Sequence, residues 1–308
     1  MKQLVVLSGK GGTGKTSLVA AFAHLAARPP SDSHPSPVTR LVLVDADVDA
    51  ANLELVLQPT PLEEHEFTGG DLAVVEPALC DGCGACEEIC RFDAIAVRLG
   101  NGFPRAAVEA LACEGCAACT YACPRQAIQM VPQVVGKWFR SATPFGPLFH
   151  AALQPGAENS GKLVTLVKQM ARLLALDEAY PLVLVDGPPG IGCPVISAVA
   201  GADMALMVAE PSMAGIHDLE RIWGVVDHFG IRSAVVINKA DIYPEGSQRI
   251  ETFCRERGVA LLGKIPFDLA VTHAMTAGQP VTADSGGAAA RAMTAIWHQV
   301  LYQLGETA

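Results

Sequence analysis

The sequence contains few aromatic residues and fewer basic than acidic side chains. Aromatic residues make up 6% of the 308 positions, and 22 lysines and arginines stand against 32 aspartates and glutamates, which gives a net charge of -10. This charge has the wrong sign for a protein that coats nucleic acid or anionic lipid electrostatically. We therefore expect no nucleic-acid partner.

Long apolar runs are also missing. No segment approaches the roughly 18 uninterrupted apolar residues of a membrane span, and the apolar run near Met1 has the length of a strand rather than of a signal peptide. The helical pattern from Ala288 to Leu304 carries few basic residues, unlike a basic membrane-targeting helix, and we expect it to pack on the core. These features predict a cytoplasmic protein without a stable membrane anchor.

Cysteine, in contrast, is concentrated in one region. Eight of the ten cysteines lie between Cys80 and Cys123. Because the cytosol keeps thiols reduced, such a cluster indicates metal ligation rather than disulfides. The segments CDGCGACEEIC and CEGCAACTYAC start 33 residues apart, and each has the C-x2-C-x2-C-x3-C spacing of bacterial ferredoxins. Paired zinc sites are the alternative, but four cysteines in so tight a run, repeated, favour iron–sulfur clusters.

The spacing also predicts which cysteines share a cluster, because in two-cluster ferredoxins the fourth cysteine of each run ligates the other cluster. Arg91 stands where a proline usually follows the fourth cysteine, a departure that alters local geometry without removing a ligand. The predicted ligands are Cys80, Cys83, Cys86 and Cys123 for one [4Fe-4S] cluster, and Cys90, Cys113, Cys116 and Cys119 for the other.

The rest of the chain alternates short apolar runs with helical patterns. This alternation predicts an α/β fold with a parallel sheet covered by helices. The predicted strands are Leu4 to Leu7, Leu41 to Val44, Leu182 to Val185, Met204 to Val208, Ala234 to Ile237 and Leu261 to Ile265. The pattern stops in the cysteine region, so we expect a discontinuous α/β domain, residues 1–59 and 143–308, with an α+β ferredoxin-like domain inserted at 60–142. Arg28 to Arg40 is predicted to be a surface loop.

The stretch from Gly9 to Thr16, GKGGTGKT, satisfies the phosphate-loop pattern G-x-x-x-x-G-K-[ST]. An apolar strand precedes it and a helical pattern follows, which is the context that this loop requires. Lys15 is expected to reach the β- and γ-phosphates, and Thr16 to ligate Mg²⁺. The predicted nucleotide-binding residues here are Gly9, Lys10, Gly11, Gly12, Thr13, Gly14, Lys15, Thr16 and Ser17.

Carboxylates follow two further strands. LVLVDADVDAANL ends a strand in Asp45 and Asp47, and PLVLVDGPPG ends another in Asp186. Because a Mg²⁺ ligand and a water-positioning group must lie at these strand ends, we assign Asp186 to Mg²⁺ through water. The Gly190 N–H is expected to contact the γ-phosphate.

Together, GKGGTGKT, DADVDAANL and DGPPG resemble the MinD/ParA/Mrp class of ATPases, which includes the nitrogenase iron protein. The resemblance implies that Lys10 crosses an ATP-bound dimer to the partner's nucleotide, that Asp47 orients the attacking water, and that Asp45 supports the Mg²⁺ shell. Lys10, Lys15 and Asp47 are accordingly the expected catalytic residues. The resemblance also implies adenine contacts from Asn238, Pro266 and Asp268.

With its cysteine insert, the chain resembles the MinD-superfamily ATPases that carry an inserted ferredoxin domain. The resemblance implies ATP, Mg²⁺ and two [4Fe-4S] clusters, and a homodimer or a heterodimer with a related ATPase. It further implies a redox or cofactor-accepting protein partner, for ATP-gated electron transfer or for metal or Fe–S cofactor assembly. The alternative is a MinD/ParA-like positioning or cell-division ATPase with the clusters as a redox sensor.

Two cysteines lie outside the runs. Cys193 has the offset from Asp186 at which the nitrogenase iron protein carries a cluster ligand, but no second cysteine is evidently placed to share that role. We favour a buried small residue or an interface thiol for Cys193, and a structural role for Cys254.

Overall fold

The computed structural model describes residues 1–28, 38, 40–100, 102–154, 160–284 and 286–305. Most of the predicted loop from Arg28 to Arg40 lies outside these residues. The chain divides into two compact units. The larger unit holds Met1–His65, Trp138–Ala152 and Ser160–Ala308, and the smaller holds Glu66–Lys137 with the segment that begins at Leu153.

The larger unit is built on a parallel sheet. Seven of its strands are β1 Lys2–Ser8, β2 Leu41–Asp45, β7 Gly146–Leu153, β8 Leu182–Pro189, β9 Met204–Ala209, β10 Arg232–Asn238 and β11 Ala260–Ile265. In sheet order they are β11, β10, β9, β1, β8, β2 and β7, and all six neighbouring pairs are parallel. Two long strands, β6 (Ile128–Thr143) and β3 (Thr60–Val75), complete the order beyond β7.

These strands are apolar because both of their faces are covered. Leu4 to Leu7 of β1 and Leu41 to Val44 of β2 are fully buried, as expected for central strands of a doubly covered parallel sheet. All six strands predicted from the apolar runs are present, which confirms the α/β fold class. The sequence did not predict β7, because its residues GPLFHAAL begin with Gly-Pro and place a histidine inside the apolar run.

Helices lie between the strands. Trp297 of the last helix is buried against Phe22 of the first, with ring centroids 4.9 Å apart, so the predicted packing of that helix on the core is confirmed. Among the described helices, none is long and apolar enough to cross a membrane. The bounds are α1 Lys15–Ala27, α2 Leu53–Leu57, α5 Ser160–Asp177, α6 Cys193–Val199, α7 Met213–His228, α8 Pro244–Arg257, α9 Leu269–Thr276 and α10 Ala288–Leu304, with a 3₁₀ turn at Val281–Ala283.

The smaller unit repeats one local structure. Two five-residue helices, α3 (Ala85–Ile89) and α4 (Ala118–Ala122), each follow a residue in the left-handed conformation. An antiparallel hairpin, β4 (Ile95–Gly100) with β5 (Phe103–Val108), lies between them in the chain. The sequence duplication is therefore also a structural duplication.

Candidate functional site

The phosphate-loop sequence connects the end of β1 to the start of α1. Gly12 and Gly14 have φ values of 76° and 92°, a left-handed conformation that costs glycine little. A Cβ at Gly14 would also collide with the Asn238 side chain. The Asn238 Nδ2 donates a hydrogen bond to the Thr13 carbonyl oxygen at 2.7 Å. Asn238 therefore supports the loop from behind, at the end of β10.

A cleft lies over this loop. Lys15, Thr16 and Asp47 line it, together with Gly11, Gly12, Gly14 and Ser17. Met275 and Thr276 of α9 also line the cleft, and sequence reasoning missed them because neither residue belongs to a recognisable motif. The residues that line the cleft thus come from the glycine loop, from the segment after β2 and from α9.

Two buried carboxylates stand side by side behind the cleft. Asp45 and Asp186 are register partners at the ends of β2 and β8. Burial raises the pKa of both carboxyls, and the Asp186 charge adds to this for Asp45. The positive charge of Lys15 opposes the rise at Asp186, whose pKa is about 6. Placing two carboxylates together is unfavourable without a cation, so this pair favours divalent-metal binding nearby.

Thr16 and Asp186 are already in contact. The Thr16 hydroxyl donates a hydrogen bond to Asp186 Oδ2 at 2.7 Å. The other oxygen, Asp186 Oδ1, is buried and has no hydrogen-bond partner among the described residues. An orphaned carboxylate oxygen beside a threonine hydroxyl fits the outer shell of a Mg²⁺ ion.

Asp45 organises the loop that carries Asp47. Its Oδ1 accepts from the Asp47 N–H at 3.1 Å, and its Oδ2 accepts from the N–H groups of Asn52 and Leu53 at 3.2 and 3.0 Å. Asp47 is half-buried, and burial raises the pKa of its carboxyl while the Lys15 charge opposes that rise. The loop therefore presents a carboxylate at the cleft beside the phosphate-binding lysine.

Lys10 is held within its own chain. Its Nζ lies 3.1 Å from Glu210 Oε2 and 3.4 Å from Ser212 Oγ. Lys239 Nζ lies 3.6 Å from the other Glu210 oxygen. Burial alone would raise the pKa of Glu210, but the two lysines lower it. Sequence reasoning missed Glu210, although it directly follows the buried strand β9.

Two groups that were predicted to contact the nucleotide have partners within the chain. The Gly190 N–H donates to the Ser8 carbonyl oxygen at 3.0 Å, because β8 continues alongside β1 through Pro189. Its contact with a γ-phosphate stays a prediction. The Asp268 carboxylate accepts from the N–H groups of Ala270 and Ala289 at 2.9 and 3.2 Å, so it holds the starts of α9 and α10, and its contact with adenine stays a prediction. Neither Pro266 nor Asp268 lines the cleft.

The eight clustered cysteines form two groups in the smaller unit. One small pocket is lined by Cys80, Cys83, Cys86 and Cys123. A second is lined by Cys90, Cys113, Cys116 and Cys119. The fourth cysteine of each run therefore lies with the first three of the other run, which is the grouping that the spacing predicts.

All ten cysteines are free thiols. Cys86 and Cys119, the third of each run, are buried, and burial raises the pKa of both. Within the described part of the chain, no three histidine, cysteine, aspartate or glutamate side chains are arranged to hold a metal ion. Cys193 is exposed at the start of α6, so the buried alternative for it is wrong. Cys254 is buried, which raises its pKa to about 11.

The sheet, the glycine loop and the carboxylates at the strand ends define a nucleotide-binding protein of the P-loop NTPase type. The family model described as CobQ/CobB/MinD/ParA nucleotide binding domain matches residues 4–281. The chain belongs to this family, which includes the MinD/ParA ATPases.

The chain is similar in sequence to several proteins. An uncharacterised protein of Methanocaldococcus jannaschii is 32% identical over 237 residues, which cover 77% of this chain and 78% of that protein. The septum site-determining protein MinD of Synechocystis is 24% identical over 286 residues, which cover 90% and 80%.

Solved structures share the fold. MinD of Pyrococcus horikoshii, complexed with Mg-ADP, aligns over 99% of this chain and 97% of its own with a TM-score of 0.58 and 18% identity. MinD in a MinC:MinD complex from Aquifex aeolicus aligns over 100% and 98% with a TM-score of 0.56 and 19% identity. At these identities the likeness shows the fold alone.

Proposed function

We propose that the chain binds Mg-ATP in the cleft over the glycine loop and hydrolyses it. The observation that carries this proposal is the Thr16–Asp186 hydrogen bond with a buried, unpartnered oxygen left on Asp186. Family membership supports it, and the Pyrococcus horikoshii MinD structure contains Mg-ADP in the same fold.

Each residue at the cleft has a definite task in this proposal. Lys15 neutralises the β- and γ-phosphates, and Thr16 with Asp186 holds the cation. Bound Mg²⁺ supplies further stabilisation of the phosphate charge. Asp47 orients a water for attack on the γ-phosphate, and Asp45 fixes the loop that carries Asp47 through its three backbone hydrogen bonds. Positioning and electrostatics are what phosphoryl transfer requires.

The Asp47→Asn substitution is expected to lower kcat for ATP hydrolysis by roughly 100-fold, because general acid–base groups contribute on the order of 10²–10⁴. The dissociation constant for Mg-ATP is expected to stay within about threefold, since the phosphate contacts come from the loop and Lys15. Phosphate release measures the first quantity and calorimetric titration the second.

The matched control is Asp227→Asn, which removes an equal charge from the exposed end of α7 and is expected to leave both quantities unchanged. Parallel losses of kcat and affinity in Asp47→Asn would contradict the assigned role of Asp47.

The proposal includes an ATP-dependent dimer of two copies of this chain. In it, Lys10 leaves Glu210 and Ser212 and reaches the nucleotide of the partner subunit. The likeness to MinD proteins supports this arrangement. The purpose best supported is a MinD/ParA-like one, in which nucleotide state controls association with a protein partner, because the relatives with a functional name are septum site-determining proteins.

A second candidate function rests on the cysteines. The proposed ligands are the two groups of four cysteines, each of which lines its own pocket. Zinc is the alternative metal, but four cysteines at the C-x2-C-x2-C-x3-C spacing, written twice, favour [4Fe-4S] clusters. Bound clusters would supply one-electron chemistry, so redox sensing, electron transfer to a partner or cofactor assembly would follow. Cysteine clusters of this kind also favour a cytoplasmic location, because the cytosol keeps thiols reduced.

Protein purified without oxygen is expected to contain about eight irons and eight sulfides per chain, because each [4Fe-4S] cluster brings four of each. Metal analysis by mass spectrometry, with a colorimetric sulfide assay on the same sample, measures both numbers. About two zincs per chain and no sulfide would exclude the redox function while leaving the ATPase proposal intact.

A further inference from the structure

Three polar side chains form a connected group beside the Asp47 loop. His150 of β7 lies between Ser141 of β6 and Glu54 of α2. Its Nε2 is 2.9 Å from Ser141 Oγ, and its Nδ1 is 3.2 Å from Glu54 Oε2. The ring also stacks on Phe139 with centroids 5.0 Å apart. Nothing in the nucleotide mechanism uses these residues.

The group does not act on a substrate. Ser141 is fully buried and His150 is 5% exposed, so a serine nucleophile could not reach a substrate here. The neutral histidine satisfies both neighbours, because Nδ1–H donates to the Glu54 carboxylate and Nε2 accepts from the Ser141 hydroxyl. Burial lowers the pKa of His150, and the Glu54 charge opposes that. The three side chains therefore connect β6, β7 and α2.

The sheet register explains what this connection holds. Val44 of β2 pairs with Phe149 of β7, so His150 stands one residue beyond that pair, next to Asp45. Asp45 accepts from the N–H groups of Asn52 and Leu53 at the start of α2, and Glu54 is the next residue. Two adjacent strands thus hold the same helical turn: β2 bonds its backbone through Asp45, and β7 bonds the Glu54 side chain through His150.

We propose that His150 is a positioning residue for the loop from Ala46 to Asn52, which it fixes by holding Glu54 and so the first turn of α2. The proposal rests on the proposed ATPase function, in which this loop carries Asp47. Asp45 bonds only the backbone at the start of α2, whereas His150 bonds the Glu54 side chain. The hydrogen bond from Ser141 keeps the imidazole in the orientation that contacts Glu54. Hydrogen bonds from neighbouring groups orient metal-ligating and catalytic histidines in the same way.

The test compares His150→Ala with His24→Ala. His24 is a matched control because it is also partly buried and bonded to a hydroxyl, Thr282 Oγ1 at 2.8 Å, but lies in the last turn of α1. Two measurements are made: hydrogen–deuterium exchange of peptides covering residues 46–52 in nucleotide-free protein, and steady-state ATP hydrolysis.

We expect faster exchange in residues 46–52 for His150→Ala but not for His24→Ala. We also expect a fall in kcat of ~10-fold or more in His150→Ala with KM for ATP nearly unchanged, because a misplaced reacting group mainly affects the chemical step. Glu54→Ala is expected to reproduce both effects, and the double variant to add little, since the two residues act as one unit. Glu54 is partly exposed at the surface, so this variant serves as the test if His150→Ala does not fold.

Unchanged exchange in Glu54→Ala or in folded His150→Ala, or equal effects in His24→Ala, would overturn the proposal. An absence of ATP hydrolysis in the unsubstituted protein would instead count against the proposed function, and the exchange measurement would still decide the role of His150.

Discussion

Replacing Lys15 by alanine is expected to weaken Mg-ADP and Mg-ATP binding by at least about 100-fold, since charge-assisted contacts to phosphate are the strongest polar contacts in such a site. Lys15 is buried at the start of α1 and lines the cleft, where its charge would meet the phosphates. Isothermal titration of the purified variant measures the loss. Lys264→Ala is the control, because Lys264 is an exposed lysine paired with Glu251 on the protein surface.

Lys10→Ala is expected to behave differently. In the single chain, Lys10 is bound to Glu210 and Ser212, so its removal should change the affinity for Mg-ADP by no more than a few-fold. It should nevertheless abolish ATP-dependent association of two copies. Equal losses of nucleotide affinity in Lys10→Ala and Lys15→Ala would show that the two lysines do not have separate roles.

Removing one cysteine from each cavity is expected to remove all the iron, whereas removing two from the same cavity should remove half. Cys86 and Cys123 line one cavity, and Cys90 lines the other with Cys119. The Cys86→Ala/Cys123→Ala variant should therefore keep about four irons, and Cys86→Ala/Cys90→Ala should keep almost none. These two variants distinguish ligation within a run from ligation across runs.

Cys193→Ala is the control for this series. Its thiol is exposed in the larger unit, and about eight irons should remain. If Cys86→Ala/Cys90→Ala retained four irons, each cluster would be held by the cysteines of a single run. Retention of four irons by neither double variant would indicate that the two clusters depend on each other for folding.

Most of the larger unit could be predicted from the sequence, because local patterns determine it. Buried parallel strands are continuous apolar runs, and the glycine loop has a fixed spacing between strand and helix. The strand β7 was missed for the same reason, since His150 interrupts its apolar run. That interruption is where the structure places the polar connection to Glu54.

Contacts between distant segments could not be predicted in this way. Glu210 meets Lys10 only after β9 and β1 become neighbours. Gly190 was expected to offer its N–H to a phosphate, but the extension of β8 beside β1 gives that N–H to Ser8. Asp268 follows a strand as expected, yet it caps two helices that the motif does not reveal. In these cases the sequence showed that a residue was of a type suited to a site, but it did not show which group that residue contacts.

Sedimentation velocity of the Asp47→Asn variant, run without oxygen with Mg-ATP or Mg-ADP, tests the central claim most directly, namely that ATP binding joins two copies through Lys10. The account predicts a dimer with Mg-ATP and a monomer with Mg-ADP, and a monomer with both nucleotides when Lys10→Ala is added. A monomer in saturating Mg-ATP, or a dimer that survives Lys10→Ala, would contradict it.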